Sequence, residues 1–205
     1  MILIHSRLIK SKNMKHIHDE VSNRFNFIPT PLDGLYKIER KLIEDSRGFL
    51  SRLFCADDFQ EIGFKKPIAQ INHTLTYNQG VIRGMHYQNH PNAEAKIITC
   101  ILGEVFDVVV DLRKDSPTFL EWHSEILSAN NQNSLFIPKG FAHGFQSLTK
   151  ECNLIYMHSN FFSPDSEAAF NALDPRLAIS WPIKITEMSE RDKKHPMISS
   201  QFKGI

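Results

Sequence analysis

The sequence predicts an all-β domain, and three observations support this prediction. From Leu35 onward, short runs rich in Val, Ile and Phe alternate with turn signals, as expected for strands joined by turns. The turns recur about every ten residues, which is typical of a β-sandwich or β-barrel. Helical patterns are confined to residues 56–62, after the first strands, and to a possible turn at residues 189–194.

The domain organisation is simple. Residues 1–31 are polar and basic and have no clear period, which predicts a loosely ordered N-terminal arm. Residues 32–205 contain no repeat, low-complexity tract or linker, and they are long enough to build one sizeable core. We therefore expect a single β-domain over residues 32–205.

Composition argues against several classes of function. The 24 Lys and Arg residues nearly balance the 23 Asp and Glu residues, so no basic surplus favours nucleic acid or an anionic membrane as a partner. The three cysteines, Cys55, Cys100 and Cys152, are far apart and form no CxxC pair, which favours a reducing compartment over disulfides or structural zinc. Since no segment resembles a signal-peptide core or a membrane span, we expect a cytoplasmic protein.

The clearest strand pair is predicted at residues 96–102 and 105–112, joined by a short turn. Both runs are rich in Val and Ile. Because side chains alternate between the two faces of a strand, Asp107 and Asp111 share a face, and hairpin pairing would put Lys96 on the same side. Such a face is either solvated or lines a polar cavity.

Two polar clusters interrupt these β-like runs. One carries Arg83 and His86, and Lys96 follows ten residues after His86. A cation, a potential general base and an amine are not expected together on a strand whose only role is to pack in the core. A second cluster, at residues 138–145, places His143 in apolar surroundings. Two strands that each carry a histidine into an apolar environment predict one polar cavity, which we interpret as an active site.

Strand parity restricts how the first cluster can reach that cavity. Arg83 and His86 fall on opposite faces of a regular strand. The two can share a site only if Gly84, between them, permits a bend or bulge.

The pattern at residues 138–143, Pro-x-Gly-x-x-His, resembles the second motif of the cupin superfamily, whose fold is a jelly roll or double-stranded β-helix. Many cupins bind a metal through histidines, so His86, His90 and His143 are candidate ligands. Three residues separate His86 from His90, however, and the next acid is Glu94. That spacing leaves no tight set of two histidines and a carboxylate, and we expect no metal and no other cofactor.

A more specific resemblance covers residues 35–197. Ordered motifs in this range are similar to those of the dTDP-4-dehydrorhamnose 3,5-epimerases, namely Asp45-Ser-Arg-Gly48, Gln70-Ile-Asn72, Arg83-Gly-Met-His-Tyr-Gln88, Lys96, Gly103-Glu-Val-Phe-Asp-Val-Val-Val-Asp-Leu-Arg113, Ser116-Pro-Thr-Phe119, Ile137-Pro-Lys-Gly-Phe-Ala-His-Gly-Phe145, Tyr156, Asp174-Pro175, Trp181-Pro182 and Ser189-Glu-Arg-Asp192. The resemblance implies a cupin-type jelly roll with short peripheral helices. It also implies a metal-independent enzyme that inverts C3, C5 or both of a nucleoside-diphosphate 4-keto-6-deoxyhexose in deoxysugar biosynthesis. We expect a homodimer, by resemblance and because an open β-sandwich must cover its edge strands.

The resemblance implies a role for each of four residues. A C–H beside a ketone is acidic only when the enolate is stabilised, so the reaction needs a base, an acid across the ring, and a cation or donor at the C4 oxygen. His86 matches the base and Tyr156 matches the acid. Lys96 matches the group that stabilises the enolate, and Asp192 matches the group that fixes the His86 tautomer. Asp107 is a further candidate, for orienting Lys96.

The resemblance also implies substrate contacts. Guanidinium groups suit phosphate oxygens. Phe162 stands where the family often has a tyrosine stacked on the nucleobase, and stacking needs only the ring face. The eight implied contacts are Arg47, Gln70, Asn72, Arg83, His143, Phe162, Glu167 and Arg191.

One departure from the family pattern leaves the nucleotide open. Arg52 stands where the family usually has a glutamate, which reverses the charge at the edge of the nucleotide pocket and leaves dTDP, CDP and GDP as alternatives. Three other functions fit the same residues: a nucleotide-sugar 3,4-ketoisomerase, a non-catalytic sugar-binding cupin and a metal-dependent cupin oxygenase. His90, His123 and His158 match no functional position and are expected at the surface or in the core.

Overall fold

The structure, a computed structural model, describes residues 24–205. These residues form fourteen strands and two short helices. The strands are β1 (Phe25–Pro29), β2 (Tyr36–Arg40), β3 (Ile43–Asp45), β4 (Gly48–Leu50), β5 (Gln70–Thr76), β6 (Val81–Gln88), β7 (Lys96–Leu102), β8 (Glu104–Asp111), β9 (Trp122–Ser128), β10 (Asn133–Ile137), β11 (Phe141–Ser147), β12 (Cys152–His158), β13 (Glu167–Ala169) and β14 (Glu187–Met188). The helices are α1 (Ala56–Gln60) and α2 (Glu190–Lys193).

Two large sheets face each other. The first has the strand order β1-β2-β10-β7-β12-β5, and the second has the order β13-β6-β11-β8-β9, with β14 beside β6. β3 and β4 form a separate two-stranded hairpin. The core between the sheets joins Ile98 and Leu154 of the first sheet with Val109 and Phe145 of the second. The predicted all-β class and the jelly-roll architecture are confirmed.

Two further apolar clusters cover the outer faces of the sheets. On the second sheet, Val108 of β8 points away from Val109 and clusters with residues of the C-terminal segment, among them Phe170. On the first sheet, Ile97 of β7 clusters with Phe59 of α1. Because successive side chains point to opposite faces and both faces are covered, the central strands are almost continuously apolar.

The predicted hairpin between residues 96–102 and 105–112 is wrong. β7 lies in the first sheet between β10 and β12, whereas β8 lies in the second sheet between β11 and β9. The chain crosses from one sheet to the other at Gly103, whose φ of +75° suits glycine. A turn signal shows where the chain changes direction but not which sheet the next strand joins. Lys96 and Asp107 therefore do not share one face of a hairpin.

The two helices lie close to their predicted positions. α1 ends at Gln60, two residues before the predicted end. α2 lies within the predicted residues 189–194, and the hydroxyl of Ser189 caps it by accepting a hydrogen bond from the Asp192 N–H at 3.0 Å. This cap fixes the start of the short helix that carries Asp192.

Regular structure begins before the expected domain boundary at residue 32. β1 starts at Phe25 and pairs with β2, so the last part of the predicted arm is a strand at the edge of the first sheet. The rest of that arm, residues 1–23, lies outside the described residues. Across residues 24–205, no helix is long and apolar enough to span a membrane.

Candidate active site

A cavity of about 570 Å³ opens between the two sheets. Strands of both sheets supply its walls, mainly β5, β7 and β12 from the first sheet and β6 and β11 from the second. Four residues have an implied catalytic role and eight have an implied substrate contact, and ten of these twelve line the cavity: Gln70, Asn72, Arg83, His86, Lys96, His143, Tyr156, Phe162, Glu167 and Arg191. An eleventh, Asp192, lies directly behind His86, and Arg47 lies elsewhere.

β6 is irregular at Gly84, as strand parity required. His86 pairs with His143 of β11 and Arg83 pairs with Phe145, so three steps along β6 correspond to two along β11. This extra residue is a β-bulge, and it turns Arg83 and His86 to the same side. Gly84 has a φ of +138°, and an added Cβ would lie 2.5 Å from the Cα of Gly144. The bulge therefore depends on two glycines.

His86 and Asp192 form a hydrogen-bonded pair at the cavity wall. Nε2 of His86 lies 2.8 Å from Oδ1 of Asp192, whose side chain is only 6% exposed. Burial alone would raise the pKa of Asp192, but the hydrogen bond and charge of His86 outweigh it and lower that pKa. An ionised carboxylate can only accept, so Nε2 carries the hydrogen, and in the neutral ring Nδ1 is then the nitrogen with a lone pair.

Tyr156 lies across the cavity, on β12. Burial raises the pKa of its phenol well above the ordinary value, and the nearby Asp107 carboxylate adds to that rise. The ring packs edge-to-face on His143, with ring centroids 5.9 Å apart. The phenol therefore holds its proton firmly, and it can serve as an acid.

Asp107 does not orient Lys96, contrary to the expectation from the sequence. Its two carboxylate oxygens lie 2.8 and 3.0 Å from Nε2 of His143. The expectation failed because it assumed that β7 and β8 pair. Asp107 instead positions His143 on the neighbouring strand β11.

Glu94 is the partner of Lys96. Its Oε1 lies 3.1 Å from Nζ of Lys96, and its Oε2 lies 3.0 Å from Nδ1 of His158. Burial would raise the pKa of Glu94, but the hydrogen bond from His158 and the charge of Lys96 lower it. Glu94 and His158 thus line the cavity, although no role was expected for them. Strand parity could have predicted the position of His158, because it follows Tyr156 by two residues and therefore lies on the same face of the strand.

The remaining predicted contacts lie toward the mouth of the cavity. Phe162 is 52% exposed, and its N–H donates to the side-chain oxygen of Gln70 at 3.1 Å. Arg191 pairs with Glu167 at 2.6 Å. Arg83 is an exposed side chain on β6, and its Nη2 donates to the carbonyl of Leu75 at 3.2 Å. Among residues 24–205, no carboxylate pairs with Arg83, so its charge is available to a ligand.

Arg47 is not part of this cavity. It lies on the exposed β3–β4 hairpin and pairs with Asp45 at 2.6 Å. That hairpin joins neither large sheet, so Arg47 is kept away from the other predicted contacts within one chain. Arg52, the departure from the family pattern, is not among the lining residues either.

A three-donor group that the sequence did not reveal lies behind the cavity. His86, Asp192 and His195 each offer one ligand atom, and these atoms lie within 4.8 Å of one another. This group differs from the candidates that the sequence suggested, which were His86, His90 and His143 with Glu94 as the next acid. His195 comes to the group only because the segment after α2 folds back beside β6.

Comparison with known proteins points to one family. The family model described as dTDP-4-dehydrorhamnose 3,5-epimerase matches residues 29–200. An enzyme of that name from Salmonella typhimurium is 39% identical over 173 residues, which cover 83% of this chain and 94% of the relative. A dTDP-4-dehydrorhamnose 3-epimerase from Streptomyces niveus is 36% identical over 166 residues, 80% of each chain.

A solved structure gives the same result. The dTDP-6-deoxy-D-glucose-3,5-epimerase of Legionella pneumophila, in complex with dTDP-4-keto-L-rhamnose, is similar to this chain with a TM-score of 0.81 and 39% identity. The match covers 84% of this chain and 92% of that chain.

Replacing Gly84 by alanine is expected to destabilise the protein. The new Cβ would collide with Gly144, and its φ is strained for an L side chain, so we expect a loss of about 2–4 kcal/mol in the free energy of unfolding. Urea unfolding followed by circular dichroism measures this loss. Gly63→Ala is the matched control, because its φ of +99° is also unfavourable but nothing lies within 4 Å of the new Cβ. Equal losses in the two variants would contradict the importance of the close contact.

Proposed function

The chain belongs to the dTDP-4-dehydrorhamnose 3,5-epimerase family and is an epimerase of deoxysugar biosynthesis, and we propose that it inverts C3, C5 or both of a nucleoside-diphosphate 4-keto-6-deoxyhexose. The observation that carries the proposal is that His86, Lys96 and Tyr156 line one cavity. A base, a cation and an acid are the groups that inversion beside a ketone requires.

His86 removes the proton. Nδ1 takes it from the carbon next to the C4 ketone, while Nε2 stays hydrogen-bonded to Asp192. The carboxylate fixes the tautomer and stabilises the imidazolium that forms. A positioned base of this kind contributes about 10²–10⁴ to the rate.

Lys96 and Tyr156 complete the inversion. The ammonium of Lys96 stabilises the negative C4 oxygen of the enolate, and the phenol of Tyr156 gives a proton to the opposite face of the carbon. Solvent then takes the proton from His86 and returns one to the Tyr156 phenolate. Each inverted carbon therefore ends with a hydrogen from solvent.

The substrate lies with its nucleotide toward the mouth. Phe162 is exposed there and stacks on the base, which is worth about 1–3 kcal/mol. Arg83 and Arg191 hold the diphosphate, since guanidinium groups bond phosphate oxygens in pairs. The names of the relatives contain dTDP. A dTDP-linked sugar is therefore the first candidate for the substrate of this chain, and CDP- and GDP-linked sugars are the alternatives to be compared with it.

The proposed homodimer is supported by surface that one chain leaves uncovered. The β3–β4 hairpin exposes the apolar side chains of Ile43, Phe49 and Leu50, and the edge strand β5 exposes Ile71. Burying such apolar surface against a second copy of the chain is more favourable than leaving it exposed to water. Arg47 can contact substrate only if the hairpin reaches the cavity of that second copy.

The proposed location is the cytoplasm. Cys55, Cys100 and Cys152 are all free thiols, as expected for a chain kept in a reducing compartment. No nucleic acid or membrane is proposed as a partner, because the net charge of +1 offers no basic surplus.

Solvent exchange tests the reaction and the role of His86. Incubation with dTDP-, CDP- and GDP-linked 4-keto-6-deoxyhexoses in D₂O, followed by NMR, should show deuterium at C3, C5 or both for one nucleotide. His86→Ala should lower the exchange rate by about 10² or more because the base is lost. His123→Ala, which removes a partly buried histidine paired with Glu125 on β9, is the control and should exchange normally. Tight binding without exchange in the wild type would contradict the proposal, and a carbonyl moved to C3 would identify a ketoisomerase.

Tyr156→Phe separates the acid from the base. The variant keeps the ring but loses the hydroxyl, so the inversion rate should fall by about 10²–10⁴. Deuterium exchange without inversion should continue, because His86 can still remove the proton and return one to the same face. NMR of recovered substrate and product measures both rates. An inversion rate equal to that of the wild type would exclude Tyr156 as the acid.

The inversion rate should not fall at mildly alkaline pH through ionisation of Tyr156. Tyr156 acts in its protonated form, and burial raises its pKa above the ordinary value, so the active form persists to higher pH than for a free tyrosine, about 10. We expect no tenfold loss of kcat per pH unit below about pH 9.5. If the residual exchange rate of Tyr156→Phe falls over the same pH range, the loss is caused by the ionisation of a group other than Tyr156. A loss found in the wild type alone, with the fold intact by circular dichroism, would contradict the assignment.

A further inference from the structure

His195 lies beside the His86–Asp192 pair and has no evident part in the reaction. Its Nε2 is buried and has no hydrogen-bond partner among the described residues, yet it lies 3.5 Å from Oδ1 of Asp192. Its ring meets the His86 ring edge-on, with centroids 5.6 Å apart. Buried polar atoms are nearly always bonded, so an unbonded imidazole nitrogen close to a carboxylate indicates a place for a ligand.

The backbone around His195 is held in place. Asn171 holds it through two hydrogen bonds, each 3.0 Å long. Its N–H donates to the carbonyl of Pro196, and its side-chain amide donates to the carbonyl of Lys193. The backbone at His195 is therefore held by bonds that the His195 side chain does not make.

We propose that His86, Asp192 and His195 form a binding site for a divalent transition-metal ion such as Zn²⁺, and that occupation of this site inhibits the enzyme. Two imidazoles and a carboxylate are donors that Zn²⁺ prefers. Their Nε2–Oδ1 distances are 2.8 and 3.5 Å. All three ligand atoms lie within 4.8 Å of one another. Ligand atoms on a tetrahedral ion with bonds of about 2.1 Å lie roughly 3.4 Å apart, so side-chain shifts of at most about 1.4 Å bring them onto one ion.

An ion can reach this site, and the local charge does not repel it. The side chains of His86 and His195 are 32% and 19% exposed. A second, smaller cavity lined by His195, Glu167 and Arg191 adjoins the first. The positive charge of Arg191 is balanced by Glu167, which leaves the carboxylate of Asp192 to attract a cation.

Inhibition follows from the tautomer of His86, and this step rests on the proposed function. When Nε2 binds the ion, a neutral His86 must carry its hydrogen on Nδ1. Nδ1 then has no lone pair with which to take the proton from the substrate. One hydrogen moves from Nε2 to Nδ1 through solvent and nothing is oxidised or reduced, so an ion without redox chemistry is sufficient.

Calorimetry tests the binding site without any substrate. The full chain, freed of metal with a chelator, is titrated with Zn²⁺, and His195→Ala should bind at least tenfold more weakly than the wild type. His195→Gln is a second variant of similar size in case the first folds poorly, and circular dichroism checks both. His123→Ala should match the wild type, because His123 and Glu125 form a histidine–carboxylate pair outside the three-donor group. Residues 1–23 also contain histidines, so the difference between variants decides, not the total number of ions bound.

Deuterium exchange tests the inhibition. Zn²⁺ should stop exchange in the wild type and in His123→Ala, a chelator should restore it, and the His195 variants should need at least tenfold more Zn²⁺. Equal Zn²⁺ affinities of the wild type and both His195 variants would overturn the site. Differential binding with no effect on exchange would overturn the inhibition. If the metal-free enzyme shows no exchange, the proposed function fails, and the calorimetric comparison still decides whether the site exists.

Discussion

The close approach of β6 and β11 at Gly84 and Gly144 is the constraint on which the cavity depends. A regular strand would turn Arg83 and His86 to opposite faces, and one of them would enter the apolar cluster on the outer face of the second sheet. The bulge adds one residue to β6 opposite β11, so both side chains join His143 on the inner face. Side chains at either glycine would separate the two backbones. The chemistry of the cavity is thus set by a contact between groups that have no side chain.

Burial of charge imposes a second constraint. Ionised groups placed between two sheets lose their hydration, and they are tolerated only when paired and hydrogen-bonded. Each pair here joins distant parts of the chain: His86 with Asp192, His143 with Asp107, and Glu94 with His158. Assembly of the sandwich and assembly of these pairs are therefore one process. A pair that is broken costs stability.

The sequence predicted those features that local pattern determines. Alternating β-formers and regular turns give the all-β class, and strand parity shows that Gly84 must permit a bulge. The partners of the ionisable groups depend on which strands become neighbours, and local pattern does not contain that information. For this reason the sequence places Lys96 beside Asp107, whereas the structure pairs it with Glu94.

Two other features depend on the same missing information. The β3–β4 hairpin joins neither large sheet, and the motif that contains Arg47 does not show where this hairpin lies relative to the cavity. His195 follows Asp192 by three residues, yet only the fold-back of the C-terminal segment shows that both side chains approach His86. Motif order specifies the list of residues, whereas the arrangement of the sheets specifies their contacts.

The two histidine–aspartate pairs show why the proposed base, His86, is also a potential metal ligand. His143 and Asp107 are bonded as closely as His86 and Asp192, at 2.8 Å in each case. His143 is buried and Asp107 fully so, and across residues 24–205 no third donor joins them. The His86 pair differs in its exposure and in the presence of His195. A base must be open to its substrate, and a cavity wide enough for a nucleotide sugar cannot exclude a hydrated ion. In the proposed mechanism, susceptibility to metal at His86 therefore arises from the same openness that the proposed base needs, and His195 supplies the third donor that the His143 pair lacks.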